Sequence, residues 1–218
     1  MTRSRCASSL PVMRSVEILA PTFLEYWAVR RTLPYARACW AGLRLARWKG
    51  VRQGSIVVVC GLAGALAPGL PPGTVLIPDR VGLVDGRIMH CDPTLVQALV
   101  AAARTLHFRP DTGPLLTAQS LIVGGNRRDW SQQGFVAADM ETGLLTGRNL
   151  RVATIRVVLD SPEHGISPDW LRPTRALLQP PLWRELFWLS RVAPQYALRA
   201  AHVLKVGLGT GPGSMFVE

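Results

Sequence analysis

Two kinds of hydrophobic pattern alternate along the chain. The runs 16-VEILA-20, 55-SIVVVC-60, 74-TVLIPDRV-81, 114-PLLTA-118, 135-FVAAD-139 and 151-RVATIRVVLD-160 are short, apolar and bounded by Gly, Pro or polar clusters, and they predict strands. Helical spacing is predicted for Thr22 to Thr32, opened by Pro21-Thr22, and from Asp92-Pro93 to about Arg104, where Leu95, Leu99 and Ala102 share one face. The stretch 61-GLAGALAPGLPPG-73 is expected to be a small-residue turn. This alternation predicts an α/β fold, a central twisted mixed β-sheet flanked by helices. A single domain is expected over 15–169, with a Pro-punctuated helical extension of the same domain over 170–208. Disordered tails are expected at 1–14 and 209–218.

Composition narrows the partners. The 218 residues carry a formal net charge of +11, which invites a nucleic-acid or membrane reading. The basic residues are nearly all arginine and scattered through apolar segments, without zinc-finger spacing, an RNA-binding aromatic signature or a dense basic run, so no nucleic-acid partner is expected. Cys6, Cys39, Cys60 and Cys91 show no CxxC spacing and read as reduced, structural thiols of a cytoplasmic protein, with no metal site and no cofactor. The first fifteen residues lack the apolar core of a signal peptide, and Arg or Pro interrupts every stretch that might span a bilayer.

The residues with chemistry gather at the carboxyl ends of predicted strands, where ligands of α/β sheets bind. These ends are Gly61 to Ala65, Gln119 to Ile122, Asp139 to Glu141, and Asp160-Ser161. Asp139 and Glu141, at the opening of an apparent helix, fit plain capping as well as ligand binding.

Taken in order, GLAGAL followed by VLIPD, Met140-Glu141 after an apolar strand, and Asp160 closing 155-IRVVLD-160 resemble the nucleoside phosphorylase and nucleosidase superfamily over residues 16 to 165. That superfamily includes purine nucleoside phosphorylases and methylthioadenosine/S-adenosylhomocysteine nucleosidases. The resemblance implies a partly barrel-like phosphorylase/hydrolase sheet, cleavage of a purine N-glycosidic bond, and a homo-oligomer. It implies that Asp160 is the general acid that protonates the purine at N7, a role suited to a partly buried carboxyl. Glu141 would bind the ribose hydroxyls with Met140 packed on the sugar, and Ala63, Gly64 and Gly61 would supply the glycine-type ligand turn. Leu121 and Ile122 would pack on the base, although an apolar pair also fits ordinary core. Glu25 would activate water, or else be a solvated surface residue of the first helix.

Two departures bear on the acceptor. Ala65 stands where the turn has a second glycine, and neither 55-SIVVVC-60 nor Gly61-Leu62 offers the Arg and hydroxyl that phosphorylases use, so water is favoured over phosphate. Arg44 and Arg47, beyond 41-AGLR-44, are the cations that could restore phosphate binding.

Between Leu171 and Lys205, six basic residues and the single acid Glu185 are interleaved with Trp183, Phe187 and Trp188. The segment fits an interfacial helix on the inner membrane surface, and equally a helix packed on the core or on a second subunit. It resembles the tail of the hopanoid-associated branch of the superfamily, which is linked to removing adenine from adenosylhopane.

Overall fold

The computed structural model describes residues 16–163, 165–167, 169 and 179–209. The expected tails, 1–14 and most of 209–218, and the segment 171–178 of the extension lie outside the described residues.

Strands β1 (Val16–Ala20) and β3 (Ile56–Ala65) pair in parallel, and β2 (Arg37–Trp40) adds on the outer side of β1. The long strand β9 (Arg151–Asp160) runs parallel to β3 along almost its whole length, with Gly61 opposite Arg156. Strand β4 (Val75–Leu76) pairs antiparallel with β9. Past the last residue paired with β1, the end of β3 is taken up by β8 (Ala137–Asp139), which leads to β7 (Leu115–Thr117), β5 (Arg80–Leu83) and β6 (Ile88–His90). The result is one mixed, nine-stranded sheet.

Three helices cover one face. α1 (Phe23–Thr32) starts at a capping box in which Thr22 and Glu25 satisfy each other's backbone N–H groups. α2 (Pro93–Thr105) starts at Asp92, whose side chain accepts from Leu95 N, and it buries Leu95, Leu99, Ala102 and Ala103. The last helix, α4 (Trp183–Gly207), closes the layer with small residues, Ala193, Ala197, Ala200 and Ala201, which let its backbone approach the sheet. Ile18, Val58 and Ile155 from the three central strands meet these helices in the main core. α3 (Gly125–Gln132) lies apart from them and buries Arg127.

Several expectations are corrected. The predicted turn at Gly61 is strand: β3 runs through Ala65 because β9 on one side and β8 on the other keep its backbone groups paired. The predicted strand 74–81 is two strands. It leaves the sheet at Pro78, which has no N–H to offer, while Ile77 N and Asp79 N turn to the carbonyls of Asp111 and Thr112. After Met140-Glu141 the chain makes a 3-10 turn, Thr142–Leu145, not an α-helix. Strands β2 and β6 lie at sheet edges and bury little, so their sequences show no apolar run, and α3 has only Arg127 buried.

Candidate active site

A cavity of about 630 Å³ opens beyond the carboxyl ends of β1, β3, β8 and β9. Ala63, Gly64 and Ala65 form its floor, Pro21, Thr22 and Glu25 one end, and Met140 and Glu141 a wall. Leu121, Ile122 and Arg127 line the side where Asp160 emerges, and Gly42, Leu43 and Arg47 face the cavity from the segment that meets Glu141. The lining is mainly apolar, with a few convergent charged groups, the usual composition of a small-molecule site. The residues expected to act together are therefore brought together: Glu25, Ala63, Gly64, Leu121, Ile122, Met140, Glu141 and Asp160 all line this cavity. Gly61 does not. It lies beneath the floor, where a methyl group on it would fall 2.2 Å from Glu25 Oε1 and 2.8 Å from Arg156 Nη1. Its role is to let those two side chains pass over the strand.

Glu25 is buried, which removes the surface alternative. Its Oε2 accepts from Thr22 N at 2.6 Å and Thr22 Oγ1 at 2.7 Å, and Oε1 accepts from Leu62 N at 2.7 Å. One residue thus caps α1 and ties it to β3. A carboxylate has about four lone-pair sites, so these bonds leave room for a further donor.

The pair Asp139 and Glu141 divides into two roles. Asp139 is the cap: it accepts from Thr142 N at 3.1 Å, from Thr117 Oγ1 at 2.5 Å, and from Thr142 Oγ1. It also takes Arg156 Nη2 at 2.5 Å, with both side chains fully buried. Glu141 caps nothing. Its Oε1 accepts from Arg44 N at 3.3 Å, and its Oε2 lies 3.5 Å from Arg156 Nη2. Burial, together with the charges of Asp139 and Glu25, outweighs Arg156 and pushes the Glu141 carboxyl up to about 7. A carboxyl that titrates near neutrality beside a cavity is a candidate for a functional position.

Arg156 is the hub that the sequence reading passed over. It is fully buried in β9 and faces Asp139 and Glu141, while Nη1 donates to Leu62 O at 3.4 Å. A lone arginine inside an otherwise apolar strand must find a partner, and that was the available clue. Arg127 was also missed. It comes from α3, is 5% exposed, and forms a salt bridge to Asp160 Oδ2. Its Nε donates to Ile122 O and its Nη1 to Ala65 O, both at 3.0 Å. Nothing in 125-GNRRDWSQ-132 announces this, because α3 has no apolar face that would fix its orientation. In this arrangement Asp160 is an acceptor, from Arg127 and from Ile166 N at 3.4 Å.

At the mouth, Phe23 packs edge-on against Trp40 with ring centroids 5.5 Å apart, and the Arg47 guanidinium lies 3.7 Å over the Trp40 ring. Arg44, with a positive φ of 55°, contributes its main-chain N–H to Glu141.

The sequence profile described as "Phosphorylase superfamily" matches residues 51–170, more than half of the chain and all of β3 to β9. The chain belongs to the phosphorylase superfamily. No curated protein matches it in sequence. Solved structures with the same fold include the 5′-methylthioadenosine/S-adenosylhomocysteine nucleosidase of Neisseria meningitidis in complex with methylthio-immucillin-A. That match has 14% identity and a TM-score of 0.68, and covers 91% of this chain and 100% of that one. The corresponding nucleosidase of Helicobacter pylori aligns at 13% identity and a TM-score of 0.66 over 89% of this chain and 97% of its own. Futalosine hydrolase from the same organism aligns at 12% identity and a TM-score of 0.65 over 89% and 97%. These structures share with this chain the single-domain fold, a mixed central sheet flanked by helices. Among the described residues no helix is long and apolar enough to cross a membrane.

Proposed function

We propose that the protein cleaves the N-glycosidic bond of a purine nucleoside, a 5′-modified adenosine, by hydrolysis. The observation that carries this reading is the charge arrangement: Glu25, Glu141 and Asp160 reach one apolar cavity, while the two guanidiniums buried among the described residues, Arg127 and Arg156, are already paired with carboxylates. Such a site favours developing positive charge at the sugar and opposes a phosphate dianion. As the C1′–N9 bond breaks, its electron pair passes to the purine, and the sugar gains oxocarbenium character. Water adds to C1′ and its proton passes to Glu25, while the departing base takes its proton from the Asp160 carboxyl acting as general acid, and exchange with solvent resets both groups. Glu141 accepts from the ribose hydroxyls, Met140 packs on the sugar, Leu121 and Ile122 hold the base, and Asp160 acts at the base edge. The relatives whose structures hold methylthioadenosine-like ligands support a nucleoside in this fold.

The 5′ group is proposed to be apolar. The cavity wall continues through Leu189 onto the first turns of α4, where Trp183 and Phe187 are 51% and 64% exposed. A lipid-linked nucleoside such as adenosylhopane, presented at a membrane surface, would suit that collar. Phosphorolysis is the second reading, and Arg47 favours it, being a cation at the cavity mouth without a carboxylate partner among the described contacts. The test is adenine release from a series of 5′-substituted adenosines with and without phosphate. Free sugar formed at the same rate in both supports hydrolysis. A strict phosphate requirement and a sugar 1-phosphate product would replace it with phosphorolysis.

A further inference from the structure

We propose that the surface around the edge strand β2 docks on an anionic bilayer and sets the cavity mouth against it. The docking stands on charge and exposure, and its use in the reaction rests on the proposed apolar 5′ group.

Positive charge is concentrated at this edge. From Tyr26 to Pro78 the sequence holds seven Arg or Lys and no Asp or Glu, so the stretch carries seven of the chain's eleven net positive charges. Two of the seven stand on α1, one on β2 and four over 44–52, and all are exposed. These elements flank the edge of the sheet, since β2 pairs with β1 on one side and, among the described residues, with no strand on the other. The acid in register with this edge, Glu17 opposite Arg37, is half-buried and accepts from Trp48 Nε1 at 3.0 Å.

Apolar side chains stand in solvent among these cations. Tyr35 is 96% exposed, and Phe23, Trp27, Trp40 and Leu43 are exposed as well. Guanidiniums of the same surface lie over two of the rings, Arg31 at 5.6 Å from the Trp27 centroid and Arg47 at 3.7 Å from that of Trp40. In the turn that carries Leu43, Arg44 and Leu45 have positive φ, 55° and 58°, a conformation that non-glycine residues seldom adopt. The turn buries Leu45 and leaves Leu43 outside. Phe23, Trp40, Leu43 and Arg47 also line the cavity, so the surface runs into its mouth.

Rings with cations beside them suit the headgroup level of a bilayer, where the rings meet the acyl boundary and the cations meet anionic lipid. Two other occupants fit less well. A second copy joined through the same surface would set cations against their own counterparts. A single-stranded nucleic acid stacks bases on bare aromatic faces, and Arg31 and Arg47 already cover faces of Trp27 and Trp40. With the mouth on the bilayer, an apolar 5′ chain would pass from lipid to cavity without crossing water.

The alternative is that the cations only guard an edge strand against pairing with other strands, which needs no lipid. Flotation of the full chain with vesicles of phosphatidylcholine, alone or with about 30% phosphatidylglycerol, separates the two. Wild-type protein should partition about tenfold or more in favour of the anionic vesicles, and about 1 M salt, which screens charges within about 3 Å, should release it. A triple variant, Arg31→Gln, Lys49→Gln and Arg52→Gln, changes none of the residues lining the cavity. It should partition about a hundredfold more weakly, since each cation near such a surface contributes about fivefold. The same loss of charge away from this edge, in Arg80→Gln, Arg104→Gln and Arg109→Gln, should weaken partitioning by less than about tenfold. Equal losses in the two triple variants, or a wild-type protein that ignores anionic vesicles, would overturn the docking. Tighter binding to single-stranded DNA than to anionic vesicles at equal phosphate concentration would assign the surface to nucleic acid instead. Base release from soluble 5′-substituted adenosines should be the same in the first triple variant and in wild type. Vesicle binding without base release from any nucleoside removes the nucleoside reading and leaves the docking, and base release without vesicle binding removes the docking alone.

Discussion

Arg156 donates to Asp139 Oδ2 at 2.5 Å with neither side chain reaching solvent, and the same Nη2 stands 3.5 Å from Glu141 Oε2. One guanidinium therefore serves a carboxylate that caps the turn and a second that faces the cavity. Burying such a pair gains little net stability, but removing one partner strands the other. Arg156→Met should lower stability by about 3–5 kcal/mol, measured by denaturant unfolding, because Asp139 would be left charged in the core. An Asp139→Asn, Arg156→Met double variant should recover part of that loss. A double variant less stable than either single one would mean that packing, not charge, makes the pair necessary.

Glu141 links stability and activity in opposite senses. Its carboxyl is raised from 4.5 to about 7, chiefly by burial. Between those values the folded protein holds a proton that the unfolded chain has released, so folding stability is greatest below about 4.5, falls as pH rises, and levels off above about 7. The total is up to about 3 kcal/mol. The proposed ribose contact uses the ionised form, so kcat/KM should climb through the same window. Glu141→Gln should flatten the stability curve and become the more stable protein above pH 7, while losing the sugar contact. Melting temperatures of the two proteins from pH 4.5 to 8 check this, and parallel curves would remove Glu141 from the linkage.

Asp160→Asn takes the countercharge from Arg127. Turnover should fall by about two to three orders of magnitude, and the protein should also be less stable, since a buried guanidinium loses its carboxylate. Adding Arg127→Met should restore stability without restoring turnover. A folded Asp160→Asn protein with wild-type rate would take this carboxylate out of the reaction.

The absence of a side chain at Gly61 predicts a large effect from a small change. Gly61→Ala would put a methyl 2.2 Å from Glu25 Oε1, so Glu25 must leave both Leu62 N and its place beside the cavity. Activity should drop about as far as in Glu25→Gln, roughly two orders of magnitude or more. Glu25→Gln should keep affinity for non-cleavable nucleosides, because that change keeps the side chain's shape. Equal activity of Gly61→Ala and wild type would show that the position of Glu25 is unimportant.

Among the described residues of α4, the first turns keep large apolar side chains exposed, and these are the ones proposed to meet a membrane. Its second half is in the core through Ala197, Ala200, Val203 and Leu204, which settles the packing of that part. Trp183 and Phe187 remain exposed. Replacing both with Ser should weaken retention on anionic vesicles at low salt and leave the melting temperature nearly unchanged. Vesicle binding that is absent, or insensitive to both replacements, would exclude this face.

What the sequence made legible follows from burial. β1, β9 and the first part of β3 are flanked on both sides, so their apolar runs stand out, and the start of α1 is written in the Thr22–Glu25 capping box. Asp139 and Asp160 were recognisable because each closes an apolar run, FVAA or VVL, at the end of a strand. The two arginines were not: Arg156 is one cation inside an apolar strand, and Arg127 reaches Asp160 from a helix whose pattern is polar all round. The continuation of β3 through GLAGA was hidden as well. Glycine and alanine there suggest a turn, and only the pairing with β8 and β9 makes them strand.

Because Leu62 to Gly64 are paired with β9, and Gly64 and Ala65 with β8, the cavity has a floor that opens only when the sheet does, and a facing segment, 42–47, held by a few turn hydrogen bonds. Hydrogen exchange should divide accordingly: floor amides exchange only with global unfolding, while those of the facing segment exchange by local opening. A ligand that binds by closing the cavity would slow exchange of the facing segment first. The adaptable side of the site is then the one carrying Leu43 and Arg47, and a change of substrate size would be accommodated there at less cost than at the glycine-rich floor.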